Sequence, residues 1–353
     1  MAAPSTLIAS VFAASVVRWQ RSHGRSELPW QNTRDPYRVW LSEVMLQQTQ
    51  VSTVLGYFDR FLARFPTVAE LATAGEDEVF GLWSGLGYYS RARNMHRCAQ
   101  EVMARFGGQF PRRSEDLETL PGIGRSTAAA IAAFCFGERV AILDGNVKRV
   151  LTRVLGFDSD LSSSASERVL WGMATELLPA ASESGAIESY TQGLMDLGAT
   201  VCMPRKPNCL LCPVNEICVA RREGAPEAYP VKTRKLKRSS QSLWLLQARD
   251  AAGRTWLQKR PVRGIWAGLF CLPVFESHAA LIEALPPSVR ANVHEGAPFL
   301  HVLTHKDLHL HPMGLESDAK AAMPGEGQWF SPHEWEGLGL PAPVRKLLVS
   351  DER

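Results

Sequence analysis

The chain has 353 residues, 45% hydrophobic and 21% charged, with 39 Lys and Arg against 36 Asp and Glu for a formal net charge of +3. That length exceeds one typical core, so two or more domains are expected, and the balance of apolar and charged residues excludes a disordered chain and a membrane-built one. So small a positive excess only tilts the expectation toward an anionic partner.

The first segment, "STLIASVFAASVV", has no Lys or Arg before it and carries Leu7, Ile8, Val11, Phe12 and Val16 at helical spacing, which predicts an amphipathic helix rather than a secretory leader. No window approaches the roughly 18 consecutive apolar residues of a membrane span, so a soluble protein with no membrane partner is expected. Cys98, Cys135 and Cys271 stand singly, the usage of a reduced, cytoplasmic protein rather than of a disulfide framework.

Helical periodicity continues through about Arg222. In "VWLSEVMLQQTQV", Glu43 sits among Val39, Trp40, Val44, Met45 and Leu46. Most helix glutamates are solvated, but apolar neighbours raise a carboxyl pKa and equip it to deliver a proton. "LWSGLGYYSRARN" sets Tyr88 and Tyr89 beside Arg91 and Arg93, the mixture that stacks on bases while gripping a phosphate backbone, or equally a buried ring pair beside a wet helix face. "SEDLETLPGIGRSTAAAIAAF" predicts a helix, a tight turn through Gly122 and Gly124, and a second helix, a helix-hairpin-helix whose turn offers backbone N–H groups to a phosphate oxygen. A lone Gly-x-Gly also joins ordinary helices, so the turn alone does not decide. In "AILDGNVKRVL", Asp144 follows an apolar run and caps the next helix. A helix N-terminus favours the anion, placed to stabilise positive charge developing on a sugar. One carboxyl pushed up and one held down is the pairing expected for cleavage of a glycosidic bond.

"CMPRKPNCLLCPVNEIC" places Cys202, Cys209, Cys212 and Cys218 in the pattern C-x6-C-x2-C-x5-C. Four thiolates in one loop point to metal. One close pair flanked by two longer arms suits a large [4Fe–4S] cube better than zinc, which spacing alone leaves open. A stretch rich in Pro and Gly then carries Lys232, Arg234, Lys235, Lys237 and Arg238 and predicts a solvated basic linker. Beyond it, short apolar runs such as "SLWLLQA", "TWLQK" and "LFCLPVF" predict a second, mixed α/β domain. The expected division is 1–225, 226–240 and 241–353.

"LPWQ", "SEVMLQQTQV", "LWSGLGYYSRARN", "LPGIGRSTA", "ILDGNVKRVL", "MDLGATVC" and the cysteine spacing, in that order, resemble the adenine DNA glycosylases of the MutY type, within the endonuclease III superfamily. The resemblance spans nearly the whole chain. It implies a mainly α N-terminal helix-hairpin-helix glycosylase domain with a [4Fe–4S] loop that presents Arg205 and Lys206 to DNA, followed by an α/β MutT-like (Nudix-fold) domain. It implies a flipped adenine whose N7 is protonated by Glu43 while Asp144 stabilises an oxocarbenium-like sugar. Leu28, Trp30 and Gln192 resemble adenine-pocket residues; Gln48 and Tyr88 resemble the residues that wedge into the stack, with Gly122, Gly124 and Lys148 also toward DNA.

Members of the superfamily that cut the strand carry a Lys where this chain has Ser126, and a hydroxyl forms no Schiff base, so hydrolysis of the base without strand cleavage is expected. Lys148, near Asp144, offers an adventitious amine. A pyrophosphatase of the MutT-like fold would need G-x5-E-x7-R-E-x2-E-E, which is not found, so this domain is expected to bind rather than hydrolyse. Where the family reads 8-oxoguanine with a Phe-Ser-His tip, this chain has Leu303, Thr304 and His305. His301, His305, His309 and His311 suggest a metal site only weakly, with Asp307 alone as an acid among them. The expected partner is duplex DNA holding an A:8-oxoguanine or A:G mispair, bound by a monomer in the bacterial cytosol and nucleoid. The rivals are an endonuclease III-type pyrimidine-lesion lyase, opposed by Ser126 and the extra domain, and an inactive DNA binder, opposed by Glu43 and Asp144.

Overall fold

A computed structural model describes residues 5–181, 183–233, 237–318 and 323–350. The chain forms two compact units, one of residues 1–58, 67–69 and 97–235, the other of residues 59–66, 70–96 and 236–353. The described residues up to 233 form helices and turns: α1 (Thr6–His23), α2 (Pro36–Leu46), α3 (Val51–Arg64), α4 (Val68–Thr73), α5 (Glu76–Trp83), α6 (Tyr89–Phe106), α7 (Ser114–Leu117), α8 (Arg125–Phe136), α9 (Gly145–Leu155), α10 (Ser164–Glu176), α11 (Ala186–Asp196) and α12 (Val219–Arg222). Among the described residues no helix is long and apolar enough to cross a membrane.

The core of the first unit gathers Phe12 and Val16 of α1, Val150 and Leu151 of α9, Leu170 of α10 and Tyr190 of α11. Here α1 departs from the expected face. Phe12, Ala13, Val16 and Val17 are buried, whereas Leu7, Ile8 and Val11 are exposed. Apolar residues occupy both sides of this helix, and the three- and four-residue spacing of 9, 12, 13, 16 and 17 outcompetes the other stripe. The predicted hairpin is α7, a turn with Gly122 at φ +77°, and α8 capped at Gly124.

The second unit holds α5 and a mixed sheet of β1 (Ser239–Asp250), β2 (Thr255–Lys259), β3 (Phe270–Cys271), β4 (Val274–Phe275), β5 (His294–Glu295), β6 (Phe299–Val302), β7 (Lys306–Ser317) and β8 (Gln328–Phe330), with helices α13 (His278–Ala284), α14 (Pro332–Glu336) and α15 (Ala342–Ser350). The order is β3-β2-β1-β7-β5, with β4 on β1, β6 on β7 and β8 on β2; β1 and β7 run parallel and the other pairs antiparallel. The run "LWLLQA" is almost continuously apolar because β1 is covered on both faces. Leu243 and Leu245 join Leu308, Leu310, Trp335 and Val344 on one side, and Leu246 and Ala248 join Leu281, Met313 and Leu315 on the other. "LFCLPVF" is split between β3 and β4 at Leu272 and Pro273.

The arginines after Tyr88 do not line a phosphate-gripping face. Arg91 is buried, donates from Nη2 to the carbonyls of Leu86 (3.1 Å) and Gly87 (3.3 Å), and lies 5.2 Å over the Trp83 ring. Burial lowers its pKa to about 10. Arg93 donates to the Ala267 carbonyl at 2.6 Å and lies 5.2 Å over Phe80. The charges that resemble a backbone grip in sequence satisfy backbone carbonyls instead, Arg91 those of the Gly85–Gly87 turn and Arg93 that of Ala267. In the basic linker, Arg234 and Lys235 lie outside the described residues; Val231 accepts from Leu161 N (3.0 Å), and the Thr233 hydroxyl donates to Asp160.

Candidate active site and cysteine loop

Asp35 and Pro36 start α2: Oδ1 of Asp35 accepts from Tyr37 N at 2.9 Å, and proline at the first position has no N–H to satisfy. Val39, Trp40, Leu41, Val44 and Met45 bury most of this helix. Ser42, Glu43 and Leu46, with Val39 beside them, border a cavity of about 1340 Å³ within the first unit. Burial first, and the charge of Asp144 second, push the Glu43 carboxyl from 4.5 up to about 8, so it is mostly protonated at neutral pH.

Asp144 borders the same cavity. Buried Ala141, Ile142 and Leu143 hold the preceding chain, and Asp144 caps α9 by accepting from Val147 N at 2.7 Å. Its carboxyl is not held down as the sequence suggested. Burial pushes it above 3.8, against the pull of the Val147 and Asn146 N–H groups and of the Arg149 and Lys148 cations. The helix terminus moderates the cost of burial without cancelling it; among the described residues Glu43 has no such donors, which keeps the two carboxyls distinct in environment.

Leu28, Trp30, Ser126, Gln192 and Gln48 also line the cavity. Trp30 is buried edge-on to Phe58, with ring centroids 5.2 Å apart. Ser126 Oγ accepts from Leu143 N at 3.1 Å, so it fixes the residue before Asp144. Exposed Gln48 has φ +58°, a left-handed backbone that costs a non-glycine residue about 1–2 kcal/mol. Lys148 is not among the cavity residues; its Nζ donates to Glu167 at 2.5 Å.

Two features escaped sequence reasoning. Asp196, wholly buried, accepts from the backbone and side chain of Arg25 and from Gln192. From α9, Arg149 Nε donates to the Cys202 carbonyl at 2.8 Å, and buried Arg153 donates from Nη1 to Met203 O at 2.7 Å and to Cys202 Sγ at 3.3 Å. One helix thus starts at Asp144 and is tied along its length to the cysteine loop. Arginines four apart after a cap were the available signal.

Cys202, Cys209, Cys212 and Cys218 line a second cavity with Val150, Leu197 and Val214. Burial, and then the three other thiols, push Cys212 up to about 12, so metal must displace protons to bind. Among the described residues no three His, Cys, Asp or Glu converge on a single ion-sized point. Four thiols around a shared apolar cavity, with an arginine donor on one sulfur, are a donor set that fits an iron-sulfur cluster. Arg205 and Lys206 are exposed on this loop, Lys206 at φ +47°.

In the second unit, Tyr88 is half-exposed at φ +48°, and its hydroxyl lies 2.8 Å from that of Thr304. Thr304 and His305 are exposed at the tip joining β6 to β7, while Leu303 turns back onto the core. Arg238 Nη1 donates to Thr304 O at 2.9 Å and bonds Asp307. His311 stacks on Trp244 at 4.4 Å, and His309 is exposed on β7.

Residues 41–175 match the HhH-GPD superfamily base excision DNA repair proteins, residues 202–218 the iron-sulfur binding domain of endonuclease III, and residues 244–350 the NUDIX domain. The chain is 36% identical over 343 residues to the adenine DNA glycosylase of Buchnera aphidicola subsp. Acyrthosiphon pisum (strain APS), covering 96% of this chain and 97% of that protein. It is 43% identical over 222 residues to the adenine DNA glycosylase of Homo sapiens, 60% of this chain and 40% of that one. A solved thermostable thymine-DNA glycosylase superposes with a TM-score of 0.54 at 28% identity, over 62% of this chain and 98% of its own.

Proposed function

The chain belongs to the adenine DNA glycosylases, [4Fe–4S] enzymes of base excision repair, and on that premise we propose that it removes adenine paired with 8-oxoguanine or guanine in duplex DNA. The observation that carries this reading is the meeting of Glu43 and Asp144 at one cavity, where burial and the neighbouring charge keep Glu43 protonated. The flipped adenine occupies the cavity between Leu28, Trp30 and Gln192. Glu43 gives its proton to N7, the C1′–N9 bond breaks with its electron pair leaving on adenine, and the Asp144 carboxylate stabilises the positive sugar. Water then adds at C1′ and returns a proton to Glu43.

Ser126 supplies no amine, so the strand stays intact, and the Lys148–Glu167 pair holds the nearby amine on a carboxylate. Gln48 and Tyr88 wedge into the stack, a role supported by their left-handed backbones, which persist where the surroundings enforce them. Gly122 and Gly124 meet a phosphate; a Cβ on Gly124 would touch no other part of the protein, which leaves room for an approaching backbone. Thr304 and His305, in a 241–353 module that binds without hydrolysing, read the opposite base. Cys202, Cys209, Cys212 and Cys218 hold the cluster, which stiffens a loop presenting Arg205 and Lys206 to DNA. The enzyme acts as a monomer in the cytosol, at the nucleoid.

Single-turnover base release from duplexes with A opposite 8-oxoguanine, G or T, read with and without alkali, tests the proposal. Adenine is expected from the first two, with strand breaks only after alkali. Release from A:T at an equal rate, or breaks without alkali, would overturn it.

A further inference from the structure

Asp196, at the end of α11, has no exposed surface and meets three donors. Its Oδ2 accepts from Arg25 N at 2.9 Å; its Oδ1 accepts from Arg25 Nε at 2.6 Å and from Gln192 Nε2 at 2.9 Å. A carboxylate only accepts, so the nitrogen of the Gln192 amide must face Asp196. The amide oxygen, on the other arm of a side chain that lines the cavity, is left for the cavity's occupant.

We propose that Asp196 is a positioning residue that locks the Gln192 amide with its acceptor toward the cavity, so that the site selects a purine bearing a 6-amino donor over one bearing a 6-oxo group. The inference rests on the reading of this cavity as the adenine site. The 6-amino group of adenine donates to the Gln192 oxygen. In hypoxanthine an oxygen occupies that place, and two acceptors face each other with no proton between them. The Arg25 contacts make the lock firm, because the same carboxylate that orients Gln192 is itself held by a backbone N–H and a guanidinium.

Asp196→Asn tests the lock. The Arg25 backbone N–H cannot easily move, so it keeps the one remaining oxygen, and the new NH2 group faces Gln192 and displaces the Arg25 guanidinium, which shared that oxygen. The Gln192 amide then turns over and offers its own NH2 to the cavity. Single-turnover release of adenine and of hypoxanthine, each opposite 8-oxoguanine, is measured for the native protein, Asp196→Asn and Arg25→Lys. The native preference for adenine is expected to fall by about 10- to 100-fold in Asp196→Asn, the scale of one mispaired buried polar group. Arg25→Lys keeps the backbone N–H and a cation beside a carboxylate that still only accepts, so it should shift the preference far less than Asp196→Asn.

If Asp196→Asn slows both bases equally, or Arg25→Lys shifts the preference as far, Asp196 is only a strut and the inference falls. If the native protein releases no adenine, the reading of the cavity falls with it. Should Asp196→Asn not fold, the native protein's Kd for duplexes holding noncleavable 2′-fluoroarabino adenosine or inosine decides: adenosine at least about tenfold tighter supports the orientation, and equal affinities overturn it.

Discussion

Glu43→Gln keeps the size of the side chain while removing its acid and its charge. In the native protein burial and Asp144 raise the Glu43 carboxyl from 4.5 to about 8, so the folded state holds a proton that the unfolded chain has already released. Stability is therefore fullest below pH 4.5, declines as pH rises through 8, and levels off above it. At about 1.4 kcal/mol per pH unit, this one group accounts for a decline of about 4–5 kcal/mol. The variant lacks that decline. It should match the native protein more closely at pH 5 and exceed it at pH 9 by up to about that amount, read as a urea midpoint. Adenine release should move the opposite way. The native rate should fall about tenfold per pH unit above 8 as the acid form disappears, whereas the variant should be slower by about 10²–10⁴ below pH 8 and show no such fall above it. A stability difference equal at pH 5 and pH 9, or a native rate that holds above pH 8, would refute the argument that burial keeps this proton in place.

Asp144→Asn retains a good helix cap, so its Tm should stay within a few degrees while single-turnover release drops by about 10²–10³; an equal loss of both would make Asp144 a structural residue. Ser126→Ala leaves the Leu143 N–H without its acceptor and should cost about 1–3 kcal/mol by urea unfolding, a cost whose absence would show that the bond is idle. Thr304→Val removes the hydroxyl that meets Tyr88 and should cut the preference for A:8-oxoguanine over A:G by about tenfold. An unchanged preference would take the tip out of reading. Cys212→Ser should lower bound iron and acid-labile sulfide together, and full retention of both would exclude this thiol as a ligand.

The carboxyls were legible because each announces itself locally, Glu43 by its apolar neighbours and Asp144 by the run it terminates. Arg91 and Arg93 misled because a charge in sequence looks the same whether it faces water or fills the carbonyls of a glycine turn. Asp196 was invisible as a hub since its main partner, Arg25, lies 171 residues away. The face of α1 was misjudged because two apolar stripes compete on one short helix and only the packed partner chooses between them. Residues 70–96 carry the same helical texture as their neighbours, so nothing local reveals that they join the sheet-bearing unit.

That last feature bears on how such a protein can be recombined. Within the second unit, a Cβ at Gly81 on α5 would collide with the Gly337 carbonyl at 2.1 Å, and one at Gly339 with the Phe80 Cβ at 2.6 Å. Tyr89 bonds the Leu340 carbonyl, and Lys259 bonds Asp77. A graft that exchanged only residues 241–353 for those of a relative would pair a new loop with an old helix across a contact that tolerates no added methyl group. Residues 59–66 and 70–96 group with the C-terminal segment, so a graft of that segment has to match the surface these helices present to it.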